Sequence, residues 1–213
     1  MSEELGKIEK PSVEEFRKGR RLYFIPLIYC WEGAPGEYVD RFNKYWEQVE
    51  DQIGTLELKL GNVTKILHEL ITASGEEGAE AISKLNDKSY EVAQKRLDRG
   101  AQTEALEDSE LVAELMDWNR CLSIGLQSQK AFTSIYSSYL EVSKKRNEFI
   151  TRQIDEVLNT DETGLLFMSE GHQIQFPKDI DVFYVAPPGL DEIKRWLRDN
   201  QAKQKEEAPE KER

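Results

Sequence analysis

No stretch of this chain approaches the ~20 consecutive apolar residues that a bilayer-spanning helix needs. Its most apolar segment, RLYFIPLIYCWEGAPGEY at 21–38, is broken by Pro26 and flanked by charge, so no membrane association is expected. Cysteine is scarce: Cys30 and Cys121 stand far apart in sequence, which is no disulfide framework and fits a reduced protein. Histidine is as scarce. With only His68 and His172, and with Lys65 where a glutamate would have to precede His68, a carboxylate-bridged di-metal site is not available. ILHELI likewise lacks the second histidine of a metalloprotease helix. Basic residues are outnumbered, 29 Lys and Arg against 41 Asp and Glu, for a net charge of −12; such a surface repels a phosphate backbone, and no nucleic-acid binding is expected. The opening MSEELGKIEK is acidic and polar, unlike a basic-then-apolar secretory signal. A cytoplasmic location follows as the expectation.

Apolar residues at 38% and charged residues at 33% suit solvated helices. In PSVEEFRKGRR, Ser12 and Glu15 form a capping box for a short helix stopped by Gly19. From Pro35 to Ile71 the residues Phe42, Trp46, Val49, Ile53, Leu56, Leu60, Val63, Leu67 and Leu70 alternate steps of four and three, the seam of one long coiled-coil-like helix. A second helix starts at Ser74 and passes Ile82, Val92 and Leu97. A third pattern spans 108–158 with two stripes. One runs through Phe132, Tyr136, Tyr139, Ser143, Arg146 and Ile150, the other through Cys121, Ala131, Ile135 and Val142, so this helix should meet two partners. It reads as continuous through Gly125. Strand character is confined to the two ends: LYFIPLIY, demoted to an edge strand by Pro26, then a hairpin in GLLFMSEGHQIQF turning at Ser169–Gly171, and DVFYVAPP.

The expected fold is therefore mainly α (α+β): an elongated antiparallel helical hairpin or bundle capped by a small antiparallel sheet drawn from both chain termini. The single domain covers 1–201, with the bundle at 36–158, the cap at 20–31 and 164–198 including a terminal helix, and a disordered charged tail at 202–213.

Motifs that carry chemistry are few. There is no G-x-S-x-G, Walker or G-x-G-x-x-G pattern, and neither cysteine has an activating base nearby in sequence. No catalytic residue, cofactor or metal is assigned. A candidate binding site at the sheet–helix junction combines the basic Arg17, Arg20 and Arg21 with Tyr23, Tyr29, Trp31 and His172, an apolar wall with a few polar groups, as ligand sites have. If the first and last long helices are antiparallel, Glu50 comes level with Arg146 and His68 with Gln129; polar pairs at a helix interface can set register. The first functional expectation is a protein–protein interaction or scaffold module using long helical surfaces, its partner another protein or a second copy as a homodimer. The alternative is a small-molecule or anion-binding protein, or an enzyme, with its site at the junction.

Overall fold

The computed structural model describes residues 18–207. Arg17, the Ser12–Glu15 capping box and residues 208–213 lie outside them. Two apolar runs make the middle of a sheet. All six residues of β4 (Thr163–Met168) and all but the first of the seven in β1 (Arg20–Pro26) are buried. Strands buried at successive positions, as LYFIP and GLLFM are, have no solvent side, and a parallel sheet with helices on both faces is what accommodates them.

That is the architecture here. β1 and β4 join β2 (Lys65–His68), β3 (Gln102–Thr103) and β5 (Ile180–Tyr184) in a five-stranded sheet of order β3-β2-β4-β1-β5. Every pairing is parallel, with Leu22 opposite Gly164 and Val182, and Ile66 opposite Leu165 and Thr103. One face carries α1 (Gly36–Leu60), α2 (Gly75–Leu85), α3 (Asp87–Leu97) and α6 (Pro188–Glu207), packed on Tyr23, Ile25, Ile66, Leu165 and Phe167. The other carries α5 (Gln129–Val157), whose Ile150 and Ile154 cover Leu22, Phe24, Leu67 and Leu166. Between α5 and β3 comes α4 (Ser109–Ser123). β1 to β2 to β3 steps one way across the sheet through the first face, and β3 to β4 steps back through the second. This change of face with direction is what right-handed crossovers demand. The layers are held close where glycine permits it: a Cβ on Gly78 of α2 would stand 2.8 Å from Thr103 Cγ2 and 2.3 Å from the Ala73 carbonyl oxygen.

This overturns the helical bundle with an antiparallel cap. The seam read from 36 to 71 is not one helix: α1 ends at Leu60, Gly61 takes φ +113°, and Leu67 belongs to β2. A four-three pattern and a short buried apolar run look alike over so few residues. The second helix is likewise two, because Asn86 takes an extended conformation and caps α3 by accepting from the Ser89 amide. The last pattern breaks at 124–128, with Gly125 at φ +70° and Ser128 capping α5 through the Ala131 amide. β1 is not an edge strand, since Pro26 sits at its final position and both its flanks are paired. The hairpin read in GLLFMSEGHQIQF does not form: residues 169–179 hold no strand, and the next one, β5, runs parallel to β1 on the side away from β4. α6 continues to Glu207, into the stretch read as a charged tail.

Candidate functional site: the carboxyl end of the sheet and its overhanging hairpin

In an open parallel sheet the carboxyl ends of the strands are where loops diverge and sites form. Here the chain leaves β2 toward one face and β4 toward the other, so a crevice should open between them. It is closed by the protein's own side chains. Glu69, directly after β2, accepts from the Ser169 amide at 2.8 Å and the Ser169 hydroxyl at 3.2 Å, directly after β4. Arg146 of α5 donates from Nη2 to Glu69 at 3.1 Å and from Nε to Glu107 at 2.6 Å, with a second, short contact from Nη2 to Glu107. The Leu70 amide, on a residue at φ +68°, donates to Glu107 at 3.0 Å. Burial opposes the charge on Arg146, but Glu107 and then Glu69 outweigh it and hold the guanidinium protonated far above its ordinary value. The network turns the Glu69 and Glu107 carboxylates onto Arg146 and backbone amides, which marks a clamp rather than an open ligand site.

The clamp also sets where α5 leaves the sheet. Glu107 stands two residues before α4, and Arg146 lies 17 residues into α5. Everything between them, α4, the turn at Gly125 and the first half of α5, therefore rises beyond the carboxyl ends as an antiparallel hairpin, about 25 Å long at 1.5 Å per residue. α4 contains no buried residue and leans on α5. Leu111, Leu115, Trp118 and Leu122 form its seam with Ala131, Ile135, Ser138 and Val142, and of these only Val142 is fully buried.

One position along from each seam residue, the helical repeat sets a second stripe. On α4 it holds Val112, Met116, Asn119 and Ser123; on α5 it holds Phe132, Tyr136, Tyr139 and Ser143. In an antiparallel pair these two stripes fall on the same side. The rings form a ladder, Phe132 stacked on Tyr136 with centroids 5.7 Å apart and Tyr136 on Tyr139 at 6.4 Å. Met116, Phe132, Tyr136 and Leu140 are 40–48% exposed. In a chain one-third charged, the eight residues of these two stripes are uncharged, with Arg120 and, beside Leu140, Lys144 at their outer edge, whereas Glu110, Glu114, Asp117, Lys130, Glu141 and Lys145 gather on the opposite side. Followed down α5, the stripe continues through Arg146 to Ile150 and Ile154, which are covered by the sheet. The overhang is thus the unroofed continuation of a core-facing stripe. At its foot a recess of about 410 Å³ lies between α5 and the β4–β5 loop, lined by Leu140, Ser143, Asn147, Gln173 and Gln175.

The residues assigned to the junction site do not assemble. Arg20 pairs with Asp155 and Asp179, each at 2.7 Å, and Arg21 donates to Thr163 Oγ1 and the Asp161 carbonyl, all at the amino end of the sheet. Tyr29 and Trp31 follow the carboxyl end of β1, and His172 lies in the β4–β5 loop against Phe24. Six residues of strand, roughly 20 Å, separate the two groups. Tyr23 is fully buried under the α1 layer. The interhelical pairs do not form either: Glu50 binds Arg96 of α3 at 2.5 Å, on the opposite face of the sheet from Arg146, and Gln129 is exposed at the start of α5, away from His68. The helices that were to be paired lie on opposite sides of a sheet, one strand of which, β2, was read as helix.

His68 is a core residue of β2. Its Nδ1 donates to the Glu69 carbonyl at 2.7 Å and its Nε2 meets Ser89 Oγ at 3.0 Å. Burial lowers its pKa to about 4, against the smaller raising influence of Glu69. The neutral imidazole is the native form, so the unfolded chain takes up a proton first as pH falls. Stability contributed by neutral His68 is full above pH ~6.5 and declines toward pH ~4, by on the order of 3 kcal/mol. Denaturant titrations of wild type and His68→Gln between pH 7 and 4 should converge as pH falls; a constant difference would contradict the assignment.

Among the described residues no group of three or more His, Cys, Asp or Glu is placed to hold a metal ion, and no helix is long and apolar enough to cross a membrane. The chain matches no protein-family model, no curated protein and no solved structure.

Proposed function

We propose that this protein is a protein-docking module: an α/β body that presents the α4–α5 hairpin as its recognition surface. The observation that carries this reading is the uncharged, ring-bearing stripe of Met116, Phe132, Tyr136 and Tyr139, which continues a core-facing stripe past the end of its sheet. Isolated exposed apolar residues need no explanation, but a contiguous patch on a projecting element marks an interaction surface. Aromatic side chains and methionine at its centre, with charge excluded, match the composition of interface cores. Helix faces with anchors at i, i+3, i+4 and i+7 are a recurrent recognition mode, and Phe132, Tyr136 and Tyr139 supply that spacing.

The carboxyl-end crevice, filled by Glu69, Ser169 and Arg146, favours this reading over a small-molecule site at the same edge. A photo-crosslinking amino acid placed at Tyr136 of the full chain in cells should yield covalent protein adducts well above those from Glu91, which is exposed on α3. Equal yields at the two positions would remove the basis of the proposal.

A further inference from the structure

Resting on the docking reading above, we infer that the occupant of the hairpin face is a second copy of this chain, the two hairpins closing into an antiparallel four-helix bundle about a two-fold axis near Tyr136.

Shape is the first argument. The face is two helices wide, about 20 Å, and about 25 Å long. It fits a partner that is itself two helices side by side, and this chain carries such a partner of matching length. A footprint of that size buries on the order of 1,200 Å² over both copies, the lower end of specific protein interfaces. Four helices packed in this way share a core, whereas α4 alone buries none of its residues completely.

Electrostatics is the second. An isologous contact sets each patch against itself, so any charge on it would meet its own kind. Two copies of net charge −12 repel unless the contact excludes carboxylates. This face does: Glu110, Glu114, Asp117 and Glu141 lie on the far side of the hairpin, where a bundle leaves them in water.

Position is the third. Because the stripe faces the same way as Ile150 and Ile154, the free face stands over the carboxyl ends of the strands, a corner with the hairpin as wall and the Glu69–Ser169 region as floor. A second hairpin laid antiparallel occupies that corner and brings its tip to the floor. The tip ends in Ile124, an apolar side chain left 73% exposed in a single copy. Each hairpin tip then meets the other body's carboxyl end, which makes the contact reciprocal.

Light scattering on the full chain, at about 100 μM so that a micromolar complex is populated, should give twice the 24.7 kDa chain mass. Tyr136→Glu should give the single-chain mass with an unchanged circular dichroism spectrum, because Tyr136 is 43% exposed and its loss opens no cavity in the body. Asp51→Lys, on exposed α1, should remain a dimer. In a Cys30→Ser, Cys121→Ser background, Tyr136→Cys should form an intermolecular disulfide under mild oxidation and Glu114→Cys should not. A wild-type chain that scatters as a monomer, or a dimer untouched by Tyr136→Glu, overturns the inference. If a monomeric chain nevertheless gives Tyr136 photo-adducts with a different protein, the docking reading stands and self-association alone fails.

Discussion

Arg146→Leu is expected to destabilise the protein by 3–5 kcal/mol, the cost of leaving buried carboxylates without their counter-charge, and to lower the melting temperature by roughly 10 °C. Glu107 is 3% exposed and receives the guanidinium in a two-pronged contact, while Glu69 takes a third hydrogen bond. Removing the arginine leaves Glu107 with only the Leu70 amide and Glu69 with Ser169. Lysine at the same position restores the charge but not the fork, so Arg146→Lys should recover less than half of the loss. Adding Glu107→Leu to Arg146→Leu should recover most of it, because the stranded charge is then gone. The location of the damage is as diagnostic as its size. Hydrogen exchange should rise first in α4 and the first half of α5, which the clamp ties to the sheet, and least in α1 and α6. Uniform loss of protection, or a loss of stability below about 1 kcal/mol, would show that the clamp does not secure the hairpin.

Arg96→Leu should cost a similar 3–5 kcal/mol on the opposite face. Arg96 is 1% exposed and reaches Glu50 at 2.5 Å and Glu57 at 2.9 Å across the α1–α3 contact. Burial disfavours its charge, yet hydrogen bonds to Glu50 and Glu57 raise its pKa above the ordinary value. Glu57 is 7% exposed and also holds the Val63 amide at the end of α1, so the substitution leaves a buried carboxylate and slackens the entry to β2. Here the early rise in exchange belongs to α3 and the last turns of α1. In the single mutant Glu57 keeps Arg99, whose Nη1 stands 3.6 Å away, and Glu50 keeps Lys95 at 3.6 Å, both from more exposed positions than Arg96. A double variant, Arg96→Leu with Glu57→Gln, should therefore be more stable than Arg96→Leu alone, and denaturant midpoints decide the order. Additive losses in the double variant would refute the pairing.

Much of this molecule could be read residue by residue, though the readings were joined incorrectly. The apolar runs LYFIP and GLLFM are both strands, and their unbroken hydrophobicity already signals burial on two faces. Pairing them as an antiparallel cap ignored that signal. KILH was absorbed into a helical seam because four apolar-rich residues satisfy either period. The two stripes on 108–158 are both used. Ala131, Ile135 and Val142 meet α4, and the stripe through Ile150 meets the sheet. The break at Gly125 was missed because Gly125 and Ser128 are separated by Leu126 and Gln127, with no proline to stop the pattern.

Charged partners lay beyond any local reading. Glu69, Glu107 and Arg146 are brought together from three separate elements, at separations of 39 and 77 residues along the chain. Arg96 and Glu107 sit at buried positions that sequence patterns assign to the solvent side.

By itself, then, the sequence determined which segments are amphipathic and that the last long helical region carries two stripes, one of them bearing Phe132, Tyr136 and Tyr139. These are local properties, set by side chains a few residues apart. Which strand pairs with which, on which face of the sheet each helix lies, and that the stripe through Tyr136 overshoots the sheet that covers Ile150, only the tertiary structure decided. Strand order and the reach of one element past another are set by contacts between residues tens to a hundred positions apart, and the local periodicity is the same for every arrangement of them.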